Sequence, residues 1–328
     1  MKVINNEVKL AKVLVTGATG FIGSALVARL LRDGYSVRVI SRKQCAGLLG
    51  DVEMVNADLL HASHALDLAV KDCDFIFHCA GELNKIDMMK DVHVNGISNL
   101  MSAAIKHGRI KHWVQLSSVG AYGKIHIHEN VIEEITEDSS LAPKGEYEIT
   151  KTIADNFLIY SSSEHGFYYS ILRPSNVVGK EMPNQSFKSL LKAIKNGRFF
   201  YIGTKDSIAN YVHICDVVDA LVLCLSKPAA RNQVFNISND CKLSDIVASI
   251  SFHHGKAPSS LCLPQWLLRA IVRCIPKFFN FPLSQSRINA LISRTHYSTA
   301  KINEYLEFLP RHSIPEFAVK YLNESVEK

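Results

Sequence analysis

Tyr147 and Lys151, in Tyr147-Glu148-Ile149-Thr150-Lys151, stand one helical turn apart if this stretch is helical. A free tyrosine ionises near pH 10, too high for a good base at neutral pH. A neighbouring ammonium favours the phenolate, so the pair reads as a proton-transfer device. Tyr147 is the candidate general acid/base and Lys151 the group that lowers its pKa. Ser118, in Leu116-Ser117-Ser118-Val119-Gly120, ends a strand and would hold the substrate oxygen beside Tyr147. The spacing alone also arises by chance on exposed helices, so context must decide.

That context is a glycine-rich turn near the start. Lys12 to Thr16 is an apolar, β-branched run that reads as a buried parallel strand. It enters Gly17-Ala18-Thr19-Gly20-Phe21-Ile22-Gly23, and Ser24 to Arg32 follows as an amphipathic helix. Gly17 permits a tight turn, Gly20 lets backbone approach a pyrophosphate, and Gly23 lets the helix pack on the sheet. Free amides and the helix dipole would face phosphates, with Thr19, Phe21 and Ile22 in the cradle. Strand, glycines and helix together predict dinucleotide binding. With the tyrosine and lysine they predict redox chemistry on an alcohol or ketone. The hydride would belong to a nicotinamide cofactor whose ribose Lys151 also contacts.

The next strand, Ser36 to Ile40, ends in Ser41-Arg42-Lys43, with no acidic residue to hold the adenosine ribose hydroxyls. Arg42 can instead meet a 2′-phosphate, which favours NADP over NAD. The alternative is a surface Arg42 stacked on adenine, which suits either cofactor. Asp58 and Leu59, ending the third strand, are placed to contact the adenine.

The glycine triplet is followed in order by further motifs: His78-Cys79-Ala80-Gly81, Leu116 to Gly123, Thr136-Glu137-Asp138 and Tyr147 to Lys151. Leu172-Arg173-Pro174-Ser175-Asn176-Val177-Val178-Gly179, Tyr211 to Val218 and Tyr297 to Ile302 complete the series. With these motifs the chain resembles the extended short-chain dehydrogenases, the NAD-dependent epimerase/dehydratase family. The resemblance implies an α/β Rossmann-type doubly wound parallel sheet. It also implies a cofactor domain over 10–179, with return segments near 208–238, and a smaller, mainly substrate-binding C-terminal domain over 180–328. Cys79, Ala80, Gly81 and Pro174 join the expected cofactor contacts. Glu82, Ser118, Asn176 and Arg294 are the candidate substrate contacts, Asn176 by touching the diphosphate or sugar. Most such proteins act on sugars carried on nucleotides, as in surface polysaccharide synthesis, and many are homodimers formed through helices flanking the tyrosine segment.

Two positions depart from the family pattern. His93 stands where an asparagine usually precedes the glycine, here Gly96, so the relay around Lys151 should differ. Ala209 stands where an arginine usually contacts the diphosphate, which leaves the carrier open. Thr16, Ser117, Thr150, His213 and Asp216 read as structural.

Alternating strands near 12–16, 36–40, 52–56, 74–78, 112–117 and 168–173 fit the doubly wound sheet. Val131 to Lys144 reads as a loop over the site, and Phe187 to Lys195 as an amphipathic helix. The length of 328 residues, 47% hydrophobic, suffices for one large α/β unit and a small cap. A net charge of +6, not clustered, suits anionic small ligands and does not make a nucleic-acid patch. Eight scattered cysteines without a C-x-x-C pair suggest reduced thiols in a cytoplasmic protein, with no disulfide framework and no metal site expected. No signal peptide is expected ahead of Lys12, and no apolar run reaches the roughly 18 residues of a membrane span.

In 264–281, Arg269, Arg273 and Lys277 recur every four residues among apolar and aromatic side chains, with Pro276 expected to end or kink a helix. The segment reads as a helix packed on the substrate domain with its basic edge in water. The alternative is an interfacial helix at the inner face of a membrane.

Hydride transfer at C4 of a nucleotide-activated sugar is therefore the leading expectation. Arg42 tips it toward an NADPH-consuming 4-ketoreductase over a 4-epimerase that keeps NAD. Three alternatives stand beside it: an epimerase of a polyprenyl-diphosphate-linked sugar, a reductase of a sterol-like or flavonol-like ketone, and a non-enzymatic cofactor sensor.

Overall fold

The computed structural model describes residues 11–42, 51–107, 109–123, 131–274 and 284–324. The first half alternates β1 (Lys12–Thr16), α1 (Phe21–Arg32), β2 (Ser36–Ser41), β3 (Glu53–Asn56), α2 (His64–Val70) and β4 (Phe75–His78). It continues through α3 (Ile86–Lys90), α4 (Gly96–Lys106), β5 (His112–Leu116), β6 (Glu133–Ile135), α5 (Glu146–His165), β7 (Tyr168–Pro174) and β8 (Asn176–Val178). Then come α6 (Gln185–Lys195), β9 (Tyr201–Ile202), β10 (Ile208–Ala209), β11 (Tyr211–His213), α7 (Ile214–Ser226), β12 (Gln233–Ile237), β13 (Cys241–Lys242) and α8 (Leu243–His253). The chain closes with β14 (Cys262–Leu263), α9 (Gln265–Cys274), α10 (Gln285–Leu291), β15 (Thr295–Tyr297), α11 (Ala300–Leu306) and α12 (Ile314–Glu324).

Among the described residues, seven parallel strands form the central sheet in the order β12-β7-β5-β4-β1-β2-β3. Both faces are covered, which is why β5 is buried along its whole length. On one face Leu26, Val27 and Leu30 of α1 pack with Val217 and Leu221 of α7. On the other, Leu66, Leu100, Met101 and Leu158 pack around Trp113. The order reverses between β1 and β4, where Thr16 pairs with His78. Their C-terminal loops part there and leave a crevice, the usual place for a ligand in such sheets.

A second core joins Phe187 and Leu191 of α6, Ile246 and Ile250 of α8, and Ile314, Ala318 and Leu322 of α12. The chain returns from it through β11, parallel to β8, into α7 and then β12 at the edge of the large sheet.

Two expectations need correction. The stretch 131–144 is not all loop: β6 pairs in parallel with β15, Glu133 opposite Thr295. Ile135 is buried against Val119 and Tyr122, and that burial drives the pairing. In α9, Arg269 is not a water-facing edge. Its guanidinium donates to Gln285 Oε1 at 2.9 Å and to Asn289 Oδ1 at 2.7 Å, tying α9 to α10. Pro276 and Lys277 lie outside the described residues, and none of the described helices is long and apolar enough to cross a membrane.

Candidate active site

The glycine turn builds the floor. Gly17 has φ +67°, a left-handed conformation, and a Cβ there would lie 2.7 Å from Ala80 N. A Cβ on Gly23 would come within 2.1 Å of Gly17 O. Gly20 is the N-cap of α1, and no side chain caps that terminus among the described residues, which leaves its first amides available to an anion. Thr16, on the β1 side, accepts from Ala80 N at 3.2 Å through Oγ1 and contacts buried His78 Nδ1 at 2.9 Å. It holds the two loops together and does not face the cleft.

The candidate proton-transfer residues come from α5 and the end of β5. Glu148 starts α5 by accepting from Gly145 N at 2.6 Å, so Tyr147 lies in the first turn and Lys151 one turn on. Lys151 is 5% exposed and donates from Nζ to Leu116 O at 2.5 Å. Burial lowers its pKa. The Tyr147 phenol is pushed up to about 12 by burial, with Asp155 and Glu148 adding to the effect. Lys151 is directed at the Leu116 carbonyl and not at the phenol. Ser118 accepts from Gly120 N at 3.1 Å, which leaves its own hydrogen to donate.

Gly17, Gly20, Phe21, Ile22, Gly23, Cys79, Ala80, Gly81, Ser118, Tyr147, Lys151, Pro174 and Asn176 all line one cavity of about 570 Å³. Exposed Arg42 and half-buried Asp58 follow the adjacent strands β2 and β3, outside the cavity wall, with Ala57 N donating to Ser41 O at 3.3 Å. Thr19 is exposed on the turn, and Leu59 holds Asn99 of α4 through its carbonyl at 2.9 Å.

Two substrate candidates are placed elsewhere. Glu82 folds its carboxylate onto its own loop, accepting from Asn84 N at 2.8 Å and Lys85 N at 3.1 Å, and these amides lower its pKa. Arg294 pairs with Asp206 at 3.3 Å and donates to Thr204 Oγ1 at 3.3 Å. Among the described residues neither belongs to the cavity wall.

A buried polar chain backs the serine turn and was not anticipated. Ser117 Oγ donates to Asp155 Oδ2 at 2.7 Å, and Arg173 reaches the same oxygen at 3.3 Å. Arg173 also contacts Tyr122 OH at 3.2 Å, which donates to Asn236 Oδ1 at 2.8 Å. Glu137 Oε1 accepts from Asn236 N at 2.6 Å and closes the chain. The motifs supply Glu137, Tyr122 and Arg173, but nothing local to them signals the connection.

His93 sits in a π-helical turn, Asp91–Asn95, a widened turn often found at functional sites. Its Nε2 accepts from Glu82 N at 2.9 Å and its Nδ1 contacts Thr150 Oγ1 at 2.8 Å. Only an Nδ1–H neutral ring satisfies both contacts, because a backbone amide can only donate. Burial holds the ring neutral, its pKa down to about 4.

The family model described as the NAD dependent epimerase/dehydratase family matches residues 13–238. The chain belongs to this family. Among curated members it is 28% identical over 269 residues to the UDP-glucose 4-epimerase of Vibrio cholerae, covering 77% of this chain and 79% of that one. It is equally 28% identical, over 263 residues, to a dihydroflavonol 4-reductase of Arabidopsis thaliana, covering 71% and 67%. Among solved structures, the UDP-glucose 4-epimerase of Thermotoga maritima superposes with a TM-score of 0.73 over 96% of this chain and 99% of that one, at 21% identity. That likeness carries the fold.

The residues present fit the family's NAD-type cofactor. The uncapped start of α1, the side-chain-free approach at Gly17 and Gly20, and buried Lys151 form a cradle of suitable chemistry. Relative to the family pattern, His93 replaces a short amide with a ring that braces Glu82 and Thr150 at once. Ala209 is buried in β10 and supplies no cation.

Proposed function

We propose that this chain is an NADPH-dependent oxidoreductase that reduces a ketone at C4 of a nucleotide-activated sugar. The observation that carries the reading is the convergence of Ser118, Tyr147 and Lys151 on the cavity that holds the glycine turn. The cofactor, when bound, supplies the hydride. Ser118 donates a hydrogen bond to the C4 oxygen and fixes its position. Tyr147, half-buried in the cavity wall, keeps its proton at neutral pH as tyrosine ordinarily does, and it gives that proton to the oxygen as negative charge develops there. Lys151 would turn its ammonium from the Leu116 carbonyl toward the phenolate that remains and the nicotinamide ribose. Asp155 and Arg173 hold the Ser117-Ser118 turn from behind.

Exposed Arg42, with no acidic partner among the described residues, supports NADPH, and so the reductase over the hydride-recycling epimerase. Support for a nucleotide carrier comes from a second cavity, of about 350 Å³, which shares Ser186 with the first. Arg198 and Arg287 lie in its wall beside Phe199, Phe200 and Tyr211, an aromatic slot with positive charge that answers the loss at Ala209. The test is NADPH oxidation with UDP- and dTDP-4-keto sugars. Turnover with either supports the proposal. Interconversion of 4-epimers without net NADPH consumption supports the epimerase, and turnover of flavonol-like ketones alone overturns the sugar reading.

One observation favours a polyprenyl-diphosphate-linked substrate at a membrane surface. Trp266 of α9 is 71% exposed beside part-exposed Leu267 and Ile271. Flotation with anionic liposomes supports that carrier if the chain rises with them and Trp266→Ala does not; a chain that stays below removes it.

A further inference from the structure

His213, Cys215 and His312 place three ligand atoms within 4.8 Å of one another, at the junction of β11 and α7. His213 ends β11 and caps α7, its Nδ1 accepting from Cys215 N at 3.3 Å. Cys215 is exposed in the first turn of α7. His312 arrives from the segment before α12 and stacks on His213, ring centroids 4.5 Å apart.

The second layer is already built. Asp216 is fully buried and accepts from Arg311 N at 3.0 Å and His312 N at 3.2 Å. Its Oδ1 lies 2.8 Å from His312 Nδ1. A carboxylate facing Nδ1 keeps the proton there and turns a bare Nε2 outward, the arrangement that orients metal-ligating histidines. Phe317 packs edge-on against His213 at 4.9 Å and steadies the second ring.

We propose that His213, Cys215 and His312 bind a zinc-type divalent cation, with Asp216 orienting His312 and water in the fourth position. Two imidazoles and a thiolate select zinc, cobalt or copper over magnesium or calcium. Tetrahedral zinc needs ligand atoms roughly 3.3–3.6 Å apart, given Zn–N and Zn–S bonds of about 2.1 and 2.3 Å. Closure needs the exposed Cys215 side chain to rotate and the stacked rings of His213 and His312 to turn so that their in-plane lone pairs meet at one point, and ligation by either His213 nitrogen gives up the long cap to Cys215 N. The cation would staple the start of α7 to the segment that leads into α12. No short motif announces the site, because the fold alone brings His312 to the β11–α7 junction.

The test uses the full chain, reduced and stripped with chelator, titrated with cobalt(II) and followed by absorption. One equivalent should produce thiolate-to-cobalt charge transfer and tetrahedral ligand-field bands, both displaced by zinc, and zinc should raise Tm. Cys215→Ser should abolish the charge-transfer band, and His312→Gln should weaken binding by roughly tenfold or more. Cys262→Ser and Cys274→Ser should leave both signals unchanged. Circular dichroism of each variant confirms folding. No band at stoichiometric cobalt, or a band that survives Cys215→Ser, overturns the site.

Discussion

His93 Nδ1 and Thr150 Oγ1 lie 2.8 Å apart, and this contact ties the π-turn before α4 to the helix that carries Tyr147 and Lys151. Thr150 donates its own hydrogen to Glu146 O at 2.7 Å, so its oxygen is left to accept from His93. The His93 ring also meets Tyr147 edge-on, centroids 5.4 Å apart. A position that departs from the family pattern thus braces the helix of Tyr147 and Lys151 from behind.

Replacing His93 with alanine strands the Glu82 amide and opens a gap beside Tyr147. The expected loss is about 1–3 kcal/mol of stability, the cost of an unsatisfied buried polar group. Denaturant unfolding checks it. His93→Asn, which can both accept and donate, should lose less; equal losses would remove the bracing role.

Buried imidazoles give the fold an acid limit. Burial depresses His78 to about 3, and His93 and His112 to about 4, from an ordinary 6.5. The unfolded rings take up protons that the folded ones refuse, so stability is present above pH 6.5 and falls as pH drops toward 4. Each group contributes on the order of 2–3 kcal/mol across that window. Urea midpoints from pH 7 to pH 4 should fall steadily, and His112→Gln should flatten the slope. A flat profile would mean the rings are solvated.

Much of this was legible in the sequence. The strand, glycine turn and helix before Arg32 lie within one short stretch, so local pattern suffices to find them. Tyr147, Lys151 and Ser118 were legible because their spacing and context are local too. The helix starts at Phe21, earlier than the apolar face suggests, because Gly23 is itself packed on the turn. The Glu137–Asn236–Tyr122–Arg173–Asp155 chain was not legible, since each bond joins distant segments through the fold. The folding of the Glu82 carboxylate onto its own loop amides was not legible either, since it depends on the path of that loop.

Breaking the buried pair behind Ser118 should be costly. Asp155 and Arg173 are both nearly inaccessible, and removing one partner leaves an uncompensated buried charge. Arg173→Met should destabilise by about 3–5 kcal/mol. The double replacement Asp155→Leu with Arg173→Met should recover part of that loss, and a double variant worse than the single would contradict the pairing argument.

Tyr147→Phe removes the phenolic proton while keeping the ring against His93. Turnover should fall by about 10²–10⁴. Cofactor titration should give an unchanged Kd, and an unchanged rate would sink the assignment of Tyr147.

Arg42→Ala should weaken NADPH by about 1.5–3 kcal/mol, the worth of a charge-assisted contact, and leave NADH nearly unaffected. Fluorescence titration of both cofactors reads the difference. Equal losses would place Arg42 on the adenine face and not on a 2′-phosphate.

The central claim is an NADPH-consuming reductase, and mass spectrometry of whatever nucleotide denatured, purified protein releases tests it most directly, followed by NADPH and NADH titration of the stripped chain. An NADPH-consuming reductase should release little retained cofactor and bind NADPH more tightly than NADH. Stoichiometric retained NAD with poor NADPH binding would contradict it and identify an enzyme that recycles its own hydride.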